Sequence, residues 1–169
     1  MASARQFVWD EAKFTGADGE PIFVFEITFR VGDGRHMLAP DDETLVKLHW
    51  GVLGQAAKHA DFELYSVHLL SNHGAALVGF RDAEAKARFT QFVAANWAKE
   101  TNIRRNTTGR IWGRTARAIQ VHTEEKLLER LRYNLSNGTK ENLVSRPNLW
   151  PGVHAAKPLE KGEPGVGEW

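Results

Sequence analysis

Apolar residues along the chain switch between two periods, and the switches mark the elements. "PIFVFEITFR" (21–30) is rich in β-branched and aromatic residues and alternates after Phe23, the pattern of a strand. "VGDGRHMLAP" follows with two glycines and a closing proline and reads as a loop. Asp41 or Asp42 then offers a cap to a helix, with Leu45, Leu48, Val52, Leu53 and Ala56 at helical spacing through residue 59. "FELYSVHLL" (62–70) is a second strand, Ser71 and Asn72 form a short turn, and "HGAALVGF" (73–80) is a third strand antiparallel to the second. Asp82 caps a further amphipathic helix, with Ala85, Phe89, Phe92, Val93 and Trp97 on one face. "TNIRRNTTGR" (101–110) reads as a polar, basic loop and "TARAIQVH" (115–122) as a fourth strand. Thr123 opens a last helix with the apolar stripe Leu127, Leu128, Leu131 and Leu135, which Asn137-Gly138 ends. From residue 145 prolines and glycines take over; irregular chain is expected there, with the last ten or so residues mobile.

The order β-α-β-β-α-β-α predicts the α+β class: an antiparallel sheet of four to five strands with helices packed on it. A chain of 169 residues suits one domain with one sizeable core. The expected division is an N-terminal segment (1–20), the folded domain (21–155) and a Pro/Gly-rich tail (156–169). Cysteine is absent, which excludes disulfides and thiolate metal sites and fits a reducing cytoplasm. No stretch of 18 apolar residues and no apolar run near the start is present, so neither a membrane partner nor a secretory signal is expected.

Net charge is only +1, but its distribution is uneven. Residues 101–122 hold Arg104, Arg105, Arg110, Arg114 and Arg117 and no Asp or Glu. Such a cluster suggests a patch for an anion; its bland alternative is a solvated face whose acids come from elsewhere. Trp112 lies among these arginines. It reads either as an aromatic partner for nucleic acid or as a core anchor.

Only two tyrosines occur, Tyr65 in the second strand and Tyr133 in the last helix. Tyr133 and Asn137 are four residues apart and share a helical face. Tyr133 borders the leucine stripe instead of leading it. On spacing alone, a surface tyrosine with a C-terminal asparagine explains the pair.

A resemblance changes that weighing. Taken in order, "FVFEITFR", "LLSNHGAALV", "IWGRTARAIQV", "LRYNLSNGTKENLVSRP" and "WPGVH" resemble the single-tyrosine HUH transposases, with the REP-associated tyrosine transposases as the nearest branch. The similarity runs from about residue 21 to about residue 155. It implies an HUH endonuclease-like fold and action on single-stranded or hairpin DNA. In that family a His-hydrophobic-His strand binds a divalent metal, and a Gln or Asn four residues after the catalytic tyrosine is the third ligand. The tyrosine forms a covalent 5′-phosphotyrosine, and a 3′ hydroxyl reverses the step in strand transfer.

Carried over residue by residue, Tyr133 is the nucleophile, His73 the first histidine and Asn137 the third ligand of Mg²⁺ or Mn²⁺. Arg104, Arg105, Arg110, Trp112, Arg114 and Arg117 become the DNA-contact candidates. The second histidine falls on Ala75, so metal binding and cleavage are expected to be weakened or lost. Ala75 is either a natural loss or an introduced replacement. His68 and His122 are imidazoles on neighbouring strands, but neither stands at i, i+2 from His73, and neither is expected to take its place. The alternative is a catalytically inactive DNA-binding module of the same fold. Related transposases work as dimers and the REP-associated branch as monomers, so a homodimer is one assembly the resemblance allows.

Overall fold

A computed structural model describes residues 12–169. The N-terminal segment expected over 1–20 lies, up to residue 11, outside the described residues. Among the described residues the sheet has five strands: β1 (Phe14–Thr15), β2 (Pro21–Arg30), β3 (Phe62–Leu69), β4 (His73–Phe80) and β5 (Arg117–Val121). Its order is β1-β2-β4-β3, with β5 also pairing β2, and all pairings are antiparallel. The helices are α1 (Glu43–Ala56), α2 (Ala83–Arg104), α3 (Glu124–Lys140) and α4 (Ala156–Lys161). The expected α+β class and antiparallel sheet are therefore what the chain forms.

The caps fall where the side-chain chemistry puts them. Asp42, Asp82 and Thr123 accept from the backbone N–H of Leu45, Ala85 and Lys126 at 3.1, 2.7 and 3.2 Å. Alternation along β2 divides the sheet. Phe25, Ile27 and Phe29 face α1 and α2 and join Val52, Phe89, Val93 and Trp97 in the large core. Ile22 and Val24 face the other way and meet Leu77, Val121 and the flanks of Leu127 and Leu131 on α3. Burial of apolar area on the first face supplies most of the stabilisation.

Four expectations need correction. The stretch 101–110 is not all loop: α2 continues to Arg104, because no Gly or Pro interrupts it and the fully buried Thr101 hydrogen-bonds His49 at 3.0 Å. The chain leaves the helix through Asn106, at φ 50°. Asn137-Gly138 does not end α3, which runs on to Lys140. The leucine stripe is only part of its buried face: Leu127 and Leu131 pack on the sheet, but Leu128 is 51% exposed and the fully buried residues are Asn134, Asn137 and Gly138. The irregular tail contains α4 and is tied down. Trp150 Nε1 donates to the Leu69 carbonyl at 2.8 Å, and residues 153–155 run alongside β3 through Leu69 N–H to Val153 O and Ala155 N–H to Val67 O, both 2.8 Å. At the far end, Glu168 N–H reaches Lys47 O at 3.1 Å and Trp169 stacks on Phe92.

Candidate active site on the polar face of the sheet

The face under α3 carries the polar residues that sequence reading scattered. A bulge at Tyr65 is the reason. Before it, Phe62 and Leu64 pack toward the α1/α2 core; after it, Val67 and Leu69 do. The extra residue reverses the alternation, so Ser66 and His68 turn to the α3 side. His68 pairs directly with Ala75, Ala75 with Thr28, and Thr28 with Arg117. His73 pairs with Arg30 one step along β4.

Helix α3 docks on this row by directional contacts. Arg130 Nη1 lies 3.1 Å from Glu26 Oε2, a carboxylate buried in the central strand. Burial raises the Glu26 pKa, and the Arg130 charge opposes that rise. Asn134 Nδ2 donates to Ser66 Oγ at 3.2 Å. One turn on, Asn137 Nδ2 stands 2.8 Å from His68 Nε2 and 3.2 Å from His73 Nε2. The two imidazole rings are 6.1 Å apart and nearly perpendicular.

Hydrogen bonding sets the tautomers. His73 Nδ1–H donates to Asn72 Oδ1 at 2.7 Å, which leaves its Nε2 lone pair facing Asn137. His68 Nε2 likewise accepts from Asn137, so its hydrogen sits on Nδ1, which is buried without a protein partner among the described residues. Burial holds His68 at a pKa of about 3, with the neighbouring His154 and His73 adding to the shift. Burial also lowers His73, reinforced by Arg30 and opposed by Glu141. His154, on the tail segment beside β3, is lowered to about 4 by burial. All three are neutral imidazoles at pH 7.

Tyr133 stands one helical turn before Asn137 on α3. It is 45% exposed and shares an open hollow of about 470 Å³ with Glu125, Glu129, Arg130, Arg132, Ser136 and Lys140. The Lys140 ammonium lies 4.4 Å from the ring centroid, a cation–π contact. Tyr65 is built differently. Its hydroxyl donates to Glu63 Oε2 at 3.0 Å, and burial together with that carboxylate pushes its pKa up to about 12. Of the two phenols, Tyr133 is the one available to an external group.

The basic stretch divides once folded. Arg104 pairs with Asp42 at 2.8 Å. Arg105 pairs with Asp41 and also donates to the carbonyls of Met37 and Ala39. Both arginines fasten the chain ahead of α1 to the end of α2. Trp112 is a core anchor: its ring rests against Phe29 and its Nε1 donates to Ala94 O at 2.7 Å. Arg110, Arg114 and Arg117 are exposed, and Arg117 lies in the same cross-strand row as His68. His122, the other imidazole considered, is exposed beyond the end of β5. Sequence reasoning did not single out Arg30, Glu26 or His154 as residues of this face. The alternation of "PIFVFEITFR", which puts Glu26 and Arg30 on one side, was the signal available for two of them.

The residues that would hold a divalent cation here are His73, through its Nε2 lone pair, and Asn137, through a carboxamide turned so that Oδ1 replaces the Nδ2 now facing His73. Among the described residues, no three His, Cys, Asp or Glu side chains gather at metal-binding spacing, so the set depends on Asn137.

Comparison with solved structures agrees with the fold. The chain superposes on a REP-associated tyrosine transposase bound to a REP hairpin with a TM-score of 0.66, at 12% identity, over 100% of this chain and 92% of that one. A candidate transposase from Deinococcus radiodurans R1 is a weaker likeness, with a TM-score of 0.49 at 14% identity over 77% of this chain and 97% of that one. No family model and no curated protein matches the chain. The chain thus has the fold of a REP-associated tyrosine transposase. Among its described residues, no helix is long and apolar enough to cross a membrane.

Proposed function

We propose that this protein binds single-stranded or hairpin DNA and that Tyr133 is the nucleophile of a transposase-like nicking and strand-transfer reaction. The observation that carries the reading is the placement of an exposed tyrosine one helical turn before an asparagine that is buried against the His73 imidazole. The fold shared with a transposase that binds a REP hairpin supports it.

Arg117, Arg114 and Arg30 lie exposed on or beside the row that holds His73 and suit phosphate oxygens. Lys140 and Arg132 flank the phenol, where they suit phosphate oxygens. Tyr133 Oη attacks phosphorus and loses its proton. The P–O3′ bond breaks, the 3′ oxygen takes up a proton, and the 5′ phosphate stays on Tyr133. A 3′ hydroxyl attacking that phosphotyrosine restores both groups, so no nucleotide energy source is required. His73 and Asn137 would hold Mg²⁺ or Mn²⁺, which when bound polarises the phosphate and stabilises charge on the leaving oxygen.

The test is a denaturing gel of the protein incubated with labelled hairpin DNA and Mn²⁺. A covalent adduct that disappears in Tyr133→Phe and persists in Tyr65→Phe is the expected result. Salt-dependent DNA binding without any adduct would instead favour a non-cleaving DNA-binding module, the reading that the Ala75 position suggests.

A further inference from the structure

Position 75 has only a methyl group, yet the sheet delivers an imidazole to the same place from the next strand. We propose that His68 is the second imidazole ligand of a divalent-cation centre completed by His73 and Asn137. The proposal rests on the reading of this face as a DNA-processing site.

Cross-strand placement is the first support. His68 pairs directly with Ala75, so the two Cβ atoms share a face at roughly 5 Å. His68, 1% exposed, and Ala75, 4% exposed, are both packed on that face. An imidazole at both positions would crowd the row, and the small residue is the complement of the large one opposite it.

Convergence is the second support. Both Nε2 atoms lie at 2.8 and 3.2 Å from a single atom of the Asn137 carboxamide. Neighbouring donors around a small cation at ~2.1 Å are roughly 3 Å apart. Turning the carboxamide over exchanges Nδ2 for Oδ1 in nearly the same volume. The cluster then offers two imidazole lone pairs and a carbonyl oxygen to one point instead of one NH₂ group shared by two acceptors. Local order is the third support. Asn72 fixes the His73 tautomer, and the bridge of His68 to His154 fixes the backbone that carries the second ring. Backbone pairing sets this arrangement, and for that reason the replacement does not follow the i, i+2 rule of a single strand.

The experiment uses the full chain with ¹³C-labelled histidine rings, titrated with MnCl₂ in the absence of DNA. Broadening of ring signals should be strongest at His68 and His73 among the seven histidines. Free Mn²⁺, read from its electron paramagnetic resonance signal, gives the affinity. His68→Ala should weaken binding at least ten-fold, and adding Ala75→His to that variant should restore it. Broadening at His73 that spares His68, or no Mn²⁺ binding in the millimolar range, overturns the proposal. So does an affinity unchanged in His68→Ala; the network would then be only a hydrogen-bonded tie between α3 and the sheet. The labelled wild-type titration decides even if His68→Ala does not fold. An adduct on hairpin DNA with no Mn²⁺ at His68 removes this ligand and keeps the nicking reaction. Mn²⁺ at His68 with no adduct keeps the ligand and removes the reaction.

Discussion

The two faces of the sheet are held in opposite ways. On one, Phe25, Ile27 and Phe29 interdigitate with Val52, Phe89, Val93 and Trp97 in a core that no single contact dominates. On the other, α3 is fixed by Arg130–Glu26, Asn134–Ser66 and the Asn137–His68–His73 cluster, with only the flanks of two leucines beneath it. Nondirectional burial tolerates shifts in position, whereas directional contacts hold particular atoms in place. The difference teaches that the fold's stability rests mainly on one face of the sheet, while the proposed chemistry belongs to the other.

Trp97→Ala should have the largest effect on stability. The ring is fully buried, meets Phe29 edge-on at 5.1 Å and donates Nε1–H to His49 O at 3.0 Å. Its loss is expected to cost about 3–5 kcal/mol. Thermal denaturation should show a fall of roughly 10 °C or more. A Trp97→Ala protein that melts like wild type would mean the apolar face does not carry the fold.

Acid should come next, and it acts on both faces. His49, on the apolar face, is held at about 4 by burial, and His68 and His154, near the polar one, at about 3 and about 4. In the unfolded chain each titrates near 6.5. The unfolded state therefore binds more protons between these values. Stability is complete above pH 6.5 and declines as pH falls toward 4. The melting temperature at pH 5 should be several degrees below that at pH 7. A flat profile would show that these imidazoles are solvated and not buried as the packing indicates.

Arg117→Ala is the smallest change and the cleanest on the polar face. The side chain is exposed, so the melting temperature should not move. Affinity for hairpin DNA should fall, and the dependence of log K on log salt should lose about one unit of slope. An unchanged slope would exclude Arg117 from the phosphate path.

Much of the fold was legible in the sequence because its elements obey simple periods and carry clear caps. Asp42, Asp82 and Thr123 each begin the helix their chemistry suggests. The α3 face was read only in part, because hydrophobic patterning finds Leu127 and Leu131, which do pack on the sheet, and passes over buried polar residues. Here Leu128 points to solvent while Asn134 and Asn137 are buried, since the partner surface is itself polar. The grouping of Tyr133, Asn137 and His73 came from resemblance, and the fold does bring His73 and Asn137 together. The approach of His68 could not be read in advance. It depends on a one-residue bulge at Tyr65 and on pairing between strands, and neither leaves a period in the sequence. Arg104 and Arg105 were legible as charges but not as partners of Asp42 and Asp41, which lie some sixty residues away in the chain.

The central claim is that the polar face uses one particular phenol. Peptide mapping of the protein–DNA adduct by mass spectrometry tests it most directly. The account predicts that the nucleotide remnant sits on the peptide containing Tyr133, with none on the peptide containing Tyr65. A remnant on Tyr65, or on a serine of either peptide, would contradict it.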